Sequence, residues 1–187
     1  MRCEILVYPG AEELDVFGPH EVLSAAGIRT TLVSLDGAEP LRLAHGAILT
    51  PHARPAMSEI VVVPGGGWAN HANAGARAQS EKPEMLAFLR DAHHRGGVLA
   101  GVCTGSMLLA RAGLLRDRPA ITHHSAIEDL RASGARIVAQ RVVDDGDIVT
   151  CGGVTAGIDL AFRLVERFLG AEKADETAAY LEYERRA

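Results

Sequence analysis

The chain contains only three cysteines, Cys3, Cys103 and Cys151. So sparse and odd a set argues against a disulfide framework and for a reducing, cytoplasmic setting. No apolar run is long enough to cross a membrane. Met1-Arg2-Cys3-Glu4 leads directly into a strand pattern, with no apolar segment of the signal-peptide kind. Charge blocks are missing as well. The formal net charge of −5 is spread along the chain, and no basic tail or DNA-binding helix pair is present, so neither nucleic acid nor membrane is an expected partner. The metal-ligand spacings CxxC and HExxH do not occur, and neither a metal nor another cofactor is expected. Repeats, low-complexity tracts and linkers are absent too. The 187 residues therefore read as one domain over 1–187 with a sizeable core.

What is present is an alternation of short apolar runs and amphipathic segments. Glu4 to Tyr8, Ile28 to Leu35, Ile60 to Val63, Gly97 to Val102, Pro119 to Thr122, Arg136 to Val143 and Ile148 to Cys151 read as strands. Leu41 to Thr50 holds one or two short strands at an irregular edge marked by Pro40, Pro51 and Pro55. Asp144-Asp145-Gly146-Asp147 reads as a hairpin turn. Helices are expected from Leu14 to Gly27, with Pro19 tolerable only near the first turn, and over Glu84 to Arg95, Ser106 to Ala112, Ser125 to Ala132, Ala156 to Leu169 and about Ala171 to Glu184. Such alternation predicts an α/β sandwich around a mostly parallel sheet. In such sheets the site lies beyond the carboxyl ends of the strands, which gathers Tyr8-Pro9-Gly10, Val63-Pro64-Gly65-Gly66 and Val102-Cys103 at one edge.

Gly101-Val102-Cys103-Thr104-Gly105 stands between the apolar run and the helical run that follows. It has the G-x-nucleophile-x-G form of an elbow, with cysteine as nucleophile. Glycine relieves the crowding of the sharp turn, and the following helix N-terminus is expected to favour a thiolate. The glycines after Pro64 let backbone N–H groups turn inward, so Gly66, Gly67 and the N–H of Thr104 are candidates for an oxyanion hole. Cys3 and Cys151, which lack an elbow, read as structural.

The base is less direct. No histidine follows His124. Chain order therefore removes the His-x-Glu arrangement of class I glutamine amidotransferases and the nucleophile, acid, histidine order of α/β-hydrolases. His123 or His124, after a short strand, can reach the site, whereas His93-His94 reads as solvated surface. Asp15, in the apolar setting Leu14-Asp15-Val16-Phe17, is either a helix cap or a partly buried carboxyl beside the thiol; in the second case burial raises its pKa and equips it to give a proton and take it back.

Together these stretches resemble the DJ-1/PfpI superfamily, over nearly the whole chain. The resemblance rests on Val61-Val62-Val63-Pro64-Gly65-Gly66, the elbow at 101–105, Ile121-Thr122-His123, and Gly152-Gly153-Val154-Thr155-Ala156-Gly157-Ile158-Asp159. Leu14-Asp15-x-x-Gly18-Pro19-His20 and Val102-Cys103-Thr104-Gly105-Ser106 are most similar to the isonitrile hydratase branch. The resemblance implies a flavodoxin-like three-layer α/β/α sandwich, a homodimer and a cofactor-free site acting on a small molecule. In it Cys103 is the nucleophile, Asp15 the partnering acid, and the amides near Gly66 and Thr104 stabilise negative charge. It implies hydration of R–N≡C to an N-substituted formamide. Glyoxalase- or amidase-like chemistry with His123, and a ligand- or redox-sensing domain, are the alternatives. Two departures bear on substrate choice: the branch typically extends beyond the last helix, and His124 stands where tryptophan is usual, with Phe17 and Trp68 adding bulk near the expected mouth.

Overall fold

A computed structural model describes residues 1–185; the last two residues of the expected 1–187 span lie outside the described residues. In chain order the elements are β1 (Arg2–Leu6), α1 (Glu13–Ala25), β2 (Arg29–Val33), β3 (Leu41–Arg42), β4 (Ile48–Leu49), β5 (Ile60–Val63), α2 (Ala76–Gln79), α3 (Pro83–His94), β6 (Val98–Gly101) and α4 (Gly105–Arg111). Then come β7 (Pro119–Ala120), a 3₁₀ turn (His124–Ala126), α5 (Ile127–Ala132), β8 (Arg136–Ile137), β9 (Val142–Asp144), β10 (Ile148–Cys151), α6 (Ala156–Leu169) and α7 (Ala171–Tyr180).

Six strands form the main sheet in the order β2-β1-β5-β6-β10-β9. The first five are parallel, and β9 pairs antiparallel with β10 at the edge. Taken alone, the parallel strands have the 2-1-3-4-5 order of flavodoxin, in which connections reverse direction between β1 and β5. Every residue of β5 and β6 is buried, as expected of strands covered on both faces. Each buried Val or Ile side chain there contributes roughly 1.5–3 kcal/mol. Helices α1, α6 and α7 cover one face; α2 to α5 cover the other. This is the expected three-layer sandwich.

Several local expectations change. Arg136 to Val143 is not one strand. Gln140 N–H turns back onto the Val138 carbonyl (2.8 Å), which interrupts the ladder and leaves β8 with β7 and β9 with β10. The last helix ends at Tyr180 rather than near Glu184, and the short α2 has no periodic signal to announce it. Pro19 lies well inside α1 rather than in its first turn. Its missing N–H leaves the Asp15 carbonyl without the usual helical donor. What the Gly18-Pro19 pair provides instead is close approach to α6: a Cβ built at Gly18 would stand 3.1 Å from Ile158 Cγ1, and one at Gly157 3.5 Å from Pro19 Cγ. Packed in this way, α1 holds Asp15 under the carboxyl edge of the sheet.

Candidate active site

The chain leaves β6 and turns sharply into α4, with Cys103 at φ +55°, a left-handed conformation uncommon for a residue with a Cβ. The turn is held by two hydrogen bonds. Cys103 N–H donates to the Gly152 carbonyl (3.2 Å), and Thr122 Oγ1 donates to the Cys103 carbonyl (2.8 Å). Both flanking glycines are sterically required. A Cβ at Gly101 would lie 2.9 Å from Ser106 Cα, and one at Gly105 would run into the Val63 carbonyl. Only a small part of Cys103 reaches solvent, at the floor of a pocket of about 290 Å³ that Gly66, Gly67, Trp68, Thr104 and His123 also line.

Asp15 lies beneath that floor, fully buried. Its Oδ2 accepts the Gly65 N–H at 2.9 Å, whereas Oδ1 has no hydrogen-bond partner among the described residues. A buried carboxylate oxygen left unpaired costs roughly 1–3 kcal/mol, and a proton on the carboxyl relieves much of that cost. Burial accordingly pushes the Asp15 pKa up to about 7, assisted by the Glu12 charge and opposed by the Gly65 N–H and the neighbouring Cys103. Asp15 is thus a half-protonated acid near neutrality beside a thiol, and the helix-cap alternative falls away.

Burial pushes the Cys103 thiol up, and the Asp15 charge adds to this. The expectation that the helix N-terminus favours a thiolate is therefore outweighed by desolvation. Thr104 opposes the rise through its backbone N–H and its hydroxyl. The Gly66 N–H does not point freely into the pocket: it donates to Thr104 Oγ1 at 3.0 Å. Gly66 is thus tied to Thr104 rather than acting as a separate donor. Gly67, at φ +65°, completes that wall of the pocket.

His123 lies on the opposite side. A Cβ at Gly153 would be 3.0 Å from His123 Cγ and 3.1 Å from Cys103 Sγ, so the missing side chain lets ring and sulfur share one space. The ring Nδ1 accepts the Ser125 N–H at 3.3 Å and meets Ser125 Oγ at 2.8 Å. Burial and the neighbouring His124 lower its pKa, which keeps it neutral at pH 7. His124 is exposed and lies outside the pocket.

The structure thus gathers Cys103, Asp15, Thr104, Gly66, Gly67 and His123 at one sheet edge. Trp68 is at the mouth as expected, its indole N–H on Asp129 Oδ2 (2.7 Å). Phe17 is not: it lies on the α1 surface beside Leu14, Val22 and Ile158. His93 is not simply solvated, because its Nε2 meets Asp147 Oδ2 at 2.6 Å. Sequence reasoning missed Tyr8, whose buried hydroxyl donates to the Pro64 carbonyl and fixes the turn carrying Gly65. It also gave Gly65 and Gly153 no contact of their own and missed Glu12. Tyr8 and Gly65 had a signal in their place at strand ends and Gly153 in the 152–159 run, whereas Glu12 had none.

A flavodoxin-like sandwich with a cysteine elbow over a buried carboxyl defines a class, and the comparisons narrow it. The model of the DJ-1/PfpI family matches residues 1–167, and the chain belongs to that family. It is 35% identical over 188 residues to an isonitrile hydratase from Pseudomonas putida, covering 98% of this chain and 78% of that protein. It is 28% identical to the Parkinson disease protein 7 homolog of Danio rerio, with 96% of each chain covered. The crystal structure of a THiJ/PfpI family protein from Pseudomonas syringae superposes with a TM-score of 0.89 at 30% identity, covering all of this chain and 76% of the other.

Proposed function

We propose that this protein hydrates isonitriles to N-substituted formamides through a Cys103 thioimidate. The observation that carries the reading is the buried Asp15 carboxyl, near its midpoint at neutral pH, with an unpartnered oxygen next to an elbow cysteine. Asp15 takes the Cys103 thiol proton as the sulfur attacks the terminal carbon of R–N≡C and gives that proton to the carbon, leaving R–N=CH–S–Cys103. Asp15, now ionised, takes a proton from water as the water adds to the thioimidate carbon and passes it to the nitrogen. The adduct R–NH–CH(OH)–S–Cys103 then collapses to R–NH–CHO and the thiol. The reaction passes protons one at a time through Asp15, and needs no external oxidant or reductant. Thr104 steadies the negative sulfur at both ends of the cycle.

A second reading, glyoxalase- or amidase-like turnover, is favoured by one observation: the neutral His123 ring shares the Gly153 space with the sulfur. Purified protein given a p-substituted phenyl isonitrile and, separately, methylglyoxal separates the two. Formamide lost in Cys103→Ala and Asp15→Asn but retained in His123→Ala supports hydration. Methylglyoxal turnover lost in His123→Ala supports the second. We also place the chain as a homodimer in a reducing, cytoplasmic setting. The apolar surface around the exposed Phe17 supports the first part and the three free thiols support the second. Among the described residues no helix is long and apolar enough to cross a membrane.

A further inference from the structure

We propose that Glu12 is the specificity-determining residue of the Cys103 pocket, selecting neutral and cationic electrophiles against anionic ones. The hydration reading supplies the reactive group of the substrate; the charge selection rests on the pocket alone. Among the described residues that line it there is no lysine or arginine. Glu12 is the carboxylate on its wall, largely shielded from solvent, and it lines the same pocket as Cys103 and His123. Its charge is felt by both Asp15 and His123.

The placement is not explained by a structural duty. Glu12 occupies the N-cap of α1, yet its side chain makes no capping hydrogen bond. Its Oε1 instead meets His45 Nε2 at 3.0 Å, on a ring that is mostly exposed. Its backbone N–H donates to the Gly65 carbonyl (3.0 Å), which locks the residue to the same turn that holds Asp15. By contrast, the adjacent Glu13 is spent on the loop, accepting the His45 N–H at 2.8 Å and the Ala47 N–H at 3.3 Å. A half-shielded carboxylate within a few ångströms of a bound molecule interacts with its charge far more strongly than a solvated one does.

The direct probe is a pair of methanethiosulfonates of opposite charge, one bearing a trimethylammonioethyl group and the other a sulfonatoethyl group. Each transfers its thioalkyl group to the Cys103 sulfur and releases methanesulfinate; peptide mass mapping locates the label. The cation-to-anion rate ratio, divided by the ratio for 2-mercaptoethanol, is expected at about tenfold or more in the wild type and to fall towards one in Glu12→Gln. A wild-type ratio near one overturns the proposal. So does a ratio unchanged in Glu12→Gln, which would trace it to the net charge of −5. With isonitriles, kcat/KM is expected to rise from p-carboxyphenyl through phenyl to p-(aminomethyl)phenyl isonitrile. Turnover of none of the three sinks the hydration reading, while the labelling ratio still decides the role of Glu12.

Discussion

Cys103 and Cys151 stand at the same level of the fold, just past or at the carboxyl ends of the neighbouring strands β6 and β10, and both are free thiols raised in pKa by burial. Cys151 stays inside its strand, fully enclosed. Cys103 leaves its strand at φ +55° and reaches a pocket. Residue type and depth are nearly equal, so neither sets Cys103 apart. The turn does, by opening the sulfur onto the pocket.

Removing each sulfur in turn has the largest expected effect. Cys103→Ala is expected to lower isonitrile kcat/KM by about 10³-fold or more. Cys151→Ala is expected to change turnover by less than severalfold and to appear in the melting temperature instead. Equal losses from both would erase the distinction.

The glycines around the two cysteines give the next test. At Gly105 a Cβ meets the Val63 carbonyl, whereas at Gly152, beside Cys151, nothing lies within 4 Å. Gly105→Ala should cost several kcal/mol in urea unfolding or prevent folding, since backbone meets backbone and neither side yields. Gly152→Ala, at a position without positive φ, should stay within about 0.5 kcal/mol.

Asp15 gives the Cys103 side of the sheet a pH dependence. Its folded pKa, about 7, is above the ordinary value of 3.8, so the folded state binds more protons between these limits. The stability it contributes is complete below pH 4 and is lost as pH rises through 7. Asp15→Asn keeps an acceptor for the Gly65 N–H and removes the titration. The melting temperature of the variant relative to wild type is therefore expected to rise from pH 4 to pH 7.5. A difference independent of pH would mean that the carboxyl titrates normally.

Much of this site is legible in the sequence, for identifiable reasons. The elbow declares itself because its chemistry, geometry and glycines are contiguous. Asp15 stands out because a carboxyl among Leu14, Val16 and Phe17 is costly unless used. The absence of late histidines excludes the familiar triads by order alone. What stays hidden depends on contacts between distant residues: Tyr8 on the Pro64 carbonyl, Gly65 on Asp15, Gly153 between His123 and the sulfur. The direction of the thiol shift is hidden for the same reason. A helix N-terminus can be read locally, but desolvation is a sum over the whole fold. The misplaced Phe17 shows the limit from the other side, since neighbours of Asp15 along a helix point away from it by about 100° per residue.

If Cys103 and Asp15 act as one thiol–carboxyl pair, the pH dependence of Cys103 alkylation by iodoacetamide must change when the carboxyl is removed. Peptide mapping follows Cys103 in wild type and Asp15→Asn. If the pair is coupled, removing the carboxylate takes away both its charge and its hold on the thiol proton. The midpoint of alkylation should then move to lower pH in Asp15→Asn, giving a thiol that alkylates faster at pH 8 in a protein that no longer turns over. An unchanged midpoint in a folded Asp15→Asn protein would contradict the pairing.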